Sequence, residues 1–123
     1  MPDDRPLPDG ALVVRGGVMH PWALLEAARD ALAVMGTPAV SVFAGDAATV
    51  SVEDLVDMGP IPHASISIST VGRVRAAGFV IRRTGRYPHC SVELGARPSI
   101  AAAARLTTAF DGPVPNPRSR SQR

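Results

Sequence analysis

The chain has 123 residues, 46% hydrophobic but only 4% aromatic, with a formal net charge of +2. That length fits one domain, able to bury roughly two thirds of its unfolded surface. The lone Cys90 excludes an internal disulfide and fits a reducing compartment. No apolar run approaches the ~18 residues of a membrane span, and Met1-Pro2-Asp3-Asp4-Arg5 lacks the basic-then-apolar order of a signal peptide. A soluble, cytoplasmic protein is expected.

Residues 1–10 hold three prolines, three aspartates and a glycine, a composition that predicts a flexible lead-in. A single α/β domain is expected over residues 11–110. Ala11 to Arg15 reads as a first strand, broken by Gly16-Gly17. Pro21 suits a first helical position, and Trp22, Leu25, Ala28, Leu32 and Met35 recur at helical spacing until Gly36. A second strand covers Ala39 to Ala44. Ser51, with Glu53 and Asp54 in the next turn, starts a short helix that ends by Met58-Gly59-Pro60. Ser65-Ile66-Ser67-Ile68-Ser69 alternates with period two, a third strand with one apolar face. Thr70 caps a helix over Val71 to Ala77. Phe79 to Arg83 and His89 to Leu94 flank Thr84-Gly85-Arg86-Tyr87 as a hairpin. Ser99 caps a last, alanine-rich helix through Ala109. Residues 111–123, with Gly112, Pro113, Pro115 and Pro117 before Arg-Ser-Arg-Ser-Gln-Arg, read as a disordered basic tail. The order β-α-β-α-β-α-β-β-α predicts an α/β (α+β) domain, a mixed sheet of about five strands with about four helices. Trp22, Phe43, Phe79 and Phe110 are expected as the few large pieces of its core.

Charge is divided along the chain. Met1 to Asp57 carries nine acidic residues against three arginines, a net of −6, whereas Met58 to Arg123 carries ten arginines against two acids, a net of +8. Every basic residue is arginine, whose forked donors suit phosphate. In the positive half, Pro62-His63-Ala64-Ser65-Ile66 and Pro88-His89-Cys90-Ser91-Val92 repeat the pattern Pro-His-x-Ser-aliphatic, bracketing Arg73, Arg75, Arg82, Arg83 and Arg86.

Metal-free cleavage of RNA requires a base for the 2′-hydroxyl, an acid for the leaving oxygen, and cations for the phosphate. His63 and His89 suit the first two roles. Residues i and i+2 of a strand share a face, so Ser65 and Ser91 would accompany them, with the five arginines binding phosphate. A metal is not expected, because the histidines and Cys90 lack the close spacing of a zinc site. The His-x-Ser-aliphatic doublet resembles the paired signature of two-histidine phosphoesterases, which implies a phosphate gripped by a histidine and a hydroxyl from each of two neighbouring strands.

A second resemblance uses other residues. Arg15 after the first strand, Ser69-Thr70 at the end of a middle strand and Glu93 in a late strand follow the Arg, Ser-Thr, Glu order of ADP-ribosyltransferases. It implies NAD as cofactor, with Arg15 on the dinucleotide phosphates, Ser69 and Thr70 at the nicotinamide pocket and Glu93 on the ribose. Over most of the chain, VVRGG, STVGRVRAAGF, HCSV and PVPNP are similar to a set of small bacterial α/β proteins. That similarity implies a self-contained domain and no particular activity.

Three functions are therefore expected in turn. The first is a small toxin-like protein, of the size of toxin–antitoxin toxins, that acts on RNA or a nucleotide phosphodiester by His63/His89 acid–base chemistry without a cofactor. The second is a noncatalytic partner of toxin–antitoxin or immunity type, whose basic face docks an acidic protein. The third is a reduced NAD-dependent ADP-ribosyltransferase.

Overall fold

A computed structural model describes residues 6–118. Ten elements follow in order: β1 (Leu12–Gly16), α1 (Pro21–Met35), β2 (Ala39–Gly45), α2 (Val52–Met58), β3 (Ser65–Thr70), α3 (Val71–Ala76), β4 (Val80–Arg83), β5 (His89–Glu93), α4 (Ile100–Thr107) and β6 (Asp111–Pro115). The helix starts are those the caps dictate. Ser51 and Asp54 form a reciprocal capping box on α2, Thr70 accepts from the Arg73 amide, and Ser99 accepts from the Ala102 amide. Gly36 ends α1 in the left-handed region, φ 80°.

The six strands form one sheet in the order β4-β5-β2-β1-β3-β6, giving an α+β domain with four helices. Every pairing is antiparallel, so the sheet is not mixed as expected. Helical and strand periods fix the elements but not the direction in which a connection re-enters the sheet. Leu12 of β1 pairs with Gly45 of β2, so the chain returns from α1 to the end of β1 that it had just left.

On one face α1, α3 and α4 cover the sheet: Leu24, Leu25, Val71, Val74, Ala103 and Leu106 pack on Val13, Val40, Val42 and Val92. On the other face the seven-residue α2 places Leu55 and Val56 over Val14 and Ile66, flanked by Phe43, Ile68 and Val114. Ser67 and Ser69 are buried, so β3 is covered on both sides. Their hydroxyls donate to the carbonyls of Gly17 and Ala109, which keeps the polar period of β3 satisfied inside the protein.

Three further expectations are corrected. Residues 111–115 are no disordered tail: they pair with β3, and Pro113 and Pro115, which lack an amide hydrogen, are accommodated on an edge strand. Residues 119–123 of the expected tail, and 1–5 of the lead-in, lie outside the described residues. The rest of the lead-in is anchored, because Leu7 is buried and its carbonyl accepts from Arg75 Nη1 at 2.8 Å. Trp22 is 59% exposed and is no core residue, whereas Phe79 and Phe110 are buried and Phe43 is half-buried. The buried stripe of α1 runs through Leu24, Leu25 and Ala28, so Leu25 and Ala28 face the sheet as expected, whereas Leu32 and Met35 are exposed. No helix among the described residues is long and apolar enough to cross a membrane.

Candidate functional site

Because α2 is short, it leaves uncovered the part of its face made by β4, β5 and β2. Three rows cross this strip: Thr84, His89 and Phe43; Arg82, Ser91 and Ser41; Val80, Glu93 and Ala39. Ser41, Val80 and Arg82 are exposed, and His89, Ser91 and Glu93 are half-buried. Strand alternation places His89, Ser91 and Glu93 on this one side.

Within the strip, His89 Nδ1 lies 2.9 Å from both the carbonyl oxygen and Oγ1 of Thr84. A carbonyl only accepts, so Nδ1 carries the hydrogen and the neutral ring keeps its lone pair on Nε2. Nε2 makes none of these bonds. Since no buried side-chain nitrogen or oxygen among the described residues lacks a partner, Nε2 reaches solvent. Thr84 Oγ1 also lies 2.8 Å from Ser91 Oγ, so threonine links the histidine to the serine two residues along the same strand. The ring edge of His89 meets Phe43, centroids 5.8 Å apart and planes at 78°, and the far side of Phe43 closes on Gly59, where a Cβ would come within 2.9 Å of its ring. Arg82 pairs with Glu93 across β4 and β5, and exposed Arg86 stands in the hairpin, where its carbonyl accepts from the His89 amide at 2.9 Å.

The other sequence-selected residues stand elsewhere. His63 lies beside β1, its ring against Gly16 and Gly17, where a Cβ on Gly16 would collide with it. The strand β2 lies between β1 and β5, the strand that carries His89. Among the described residues no hydrogen bond or ring contact joins the two imidazoles. Ser65 points with Ser67 and Ser69 to the three-helix side. Arg73 and Arg75 belong to α3 on that side too. Arg73 makes two bonds to Asp111, at 2.8 and 3.2 Å, and Arg75 holds Asp9 at 2.7 Å. Arg83 shares its face with Cys90, whose thiol burial pushes up to about 11 against the lowering charge of Arg83. Of the five arginines, Arg82 shares the face of the strip and Arg86 lies in the hairpin next to His89.

The set from the second resemblance is likewise dispersed. Arg15 faces the helices and donates to the Ser41 carbonyl at 2.6 Å, its pKa lowered by burial. Ser69 is committed to Ala109 and Thr70 to capping α3, while Glu93 lies on the opposite face beside Arg82. Among the described residues no group of three or more His, Cys, Asp or Glu side chains gathers to hold a metal ion. Thr84, which orients His89, was not selected from the sequence. Its position next to Gly85 at the start of the hairpin was the available signal, because that pairing sets it opposite His89. No protein-family model, curated protein or solved structure matches the chain.

Proposed function

We propose that the protein binds RNA, through its phosphodiester backbone, along the uncovered strip of β4, β5 and β2, and that His89 alone supplies proton transfer there. The observation that supports this reading is the fixed tautomer of His89: Nδ1 is tied to Thr84 and Nε2 faces solvent, on the sheet face that Arg82 shares and beside the hairpin that holds Arg86. An imidazole so held accepts a proton at Nε2, and the Thr84 carbonyl steadies the charged ring. In metal-free cleavage the 2′-hydroxyl gives its proton to Nε2, its oxygen attacks the adjacent phosphorus, and the 5′ oxygen departs. The proton returns from the imidazolium through water to that oxygen, leaving a cyclic phosphate. Arg86 and Arg82 meet the phosphate oxygens, with Arg82 exchanging part of its contact with Glu93.

The test is fluorescence anisotropy with a labelled single-stranded RNA, beside a metal-free cleavage assay. Arg86→Ala is expected to weaken binding about tenfold and to flatten its salt dependence. His89→Ala is expected to bind but not cleave. Failure of the wild-type chain to bind at low salt overturns the reading, and equal cleavage by His89→Ala removes that residue from the chemistry.

A noncatalytic role with a protein partner is the second reading. It is favoured by the exposure of Trp22 at 59%, Met35 at 71% and Val34 at 83% on α1.

A further inference from the structure

At the hairpin end of the sheet, a cleft of about 460 Å³ is lined by Pro6, Leu7, Pro8, Gly45, Asp46, Thr49, Arg83 and Tyr87. We propose that this cleft binds the base of a guanine nucleotide. The proposal rests on the RNA reading for its ligand class and adds which base the protein selects.

The volume suits a ligand of nucleotide size. Three separate segments build the cleft, and each is held. The lead-in wall is fixed by burial of Leu7, by Arg75 on the Leu7 carbonyl at 2.8 Å, and by the Ala11 amide on the Pro8 carbonyl at 3.0 Å. A second wall is a tight turn in which the Asp46 carbonyl accepts from the amides of Thr49 and Val50, at 3.0 and 2.9 Å, and from Thr49 Oγ1 at 3.2 Å. Tyr87, 53% exposed, adds an aromatic ring to the lining, the kind of group on which an unstacked base rests.

Selectivity follows from Asp46. Its Oδ1 accepts from the Ala48 amide at 2.9 Å, which orients the carboxylate, while Oδ2 makes no hydrogen bond among the described residues. A carboxylate only accepts. Guanine presents two adjacent donors, the ring N–H and the amino group, to a pair of acceptor oxygens. Adenine and cytosine set a lone pair beside their amino group and so oppose the carboxylate, and uracil has one N–H between two carbonyls. Arg83 at the cleft wall brings positive charge for the attached phosphate.

Calorimetric titration of the full chain with GMP, AMP, CMP and UMP tests the proposal. GMP is expected to bind at least about tenfold more tightly than the others. Asp46→Asn, which keeps the size of the side chain and an oxygen for the turn, is expected to erase that preference. Equal affinity for GMP and AMP, or an unchanged preference in Asp46→Asn, overturns it. A parallel titration with guanine-free and guanine-containing RNA separates the two readings. Equal binding of both RNAs removes the cleft and leaves RNA binding intact, whereas GMP binding without RNA binding removes the RNA reading and keeps the cleft as a mononucleotide site.

Discussion

The carboxamide of Asn116 donates from Nδ2 to the carbonyl of His63 at 2.9 Å and to that of Ile61 at 3.1 Å. Its own amide bonds the Ala64 carbonyl at 2.9 Å, so one residue, 1% exposed, clamps the end of β6 to the approach to β3. Asn116→Ala would strand the buried Ile61 carbonyl and the part-buried carbonyl of His63. A loss of about 1–3 kcal/mol is expected, read as a fall of several degrees in Tm by circular dichroism. An unchanged Tm would mean that water replaces the carboxamide.

Gly16 is required by close approach rather than by backbone conformation. A Cβ there would lie 2.7 Å from Ile61 Cγ2 and collide with the His63 ring. Gly16→Ala is expected to cost about 1–3 kcal/mol through overpacking and to move the His63 ring resonances in a proton NMR spectrum. Gly10→Ala, where nothing lies within 4 Å, is the control and should move neither.

Cys90 supplies a pH dependence whose sign is fixed. Burial raises its pKa from 9.0 to about 11, so between those values the folded chain holds the thiol proton more tightly than the unfolded one. Its contribution is complete below about pH 9 and is lost as pH rises through about 11. Denaturant titrations across this window should show stability falling, with a smaller fall in Cys90→Val. The same burial is expected to make the folded thiol slow toward alkylating reagents at pH 8.

Element by element, local chemistry was a good guide. Pro21, Ser51, Thr70 and Ser99 begin their helices where caps are needed, and the Ser-Ile alternation of β3 is a strand. What failed depends on partners distant in sequence. Asp111 to Pro115 has the composition of a loose end, yet β3 offers an open edge, and Arg73 on α3 secures Asp111. Trp22 fits the helical period but sits just off the stripe that meets the sheet. The pairing of His89 with Ser91 followed from strand alternation, whereas the placing of His63 beside β1 and of His89 on β5 depends on strand order, which periodicity does not encode. The charge division also has a use inside the fold. Asp9 meets Arg75, and Asp57 and Glu53 meet Arg118, so part of the acidic half is the counter-charge of the basic half.

The two ends of the sheet resist self-association by unlike means. At β6, Pro113 and Pro115 remove donors that an incoming strand would need. At β4, a second copy docking strand to strand would bring the guanidinium groups of Arg82 and Arg83 against their own likenesses. Both margins of the described sheet therefore disfavour the strand-to-strand docking of a second copy.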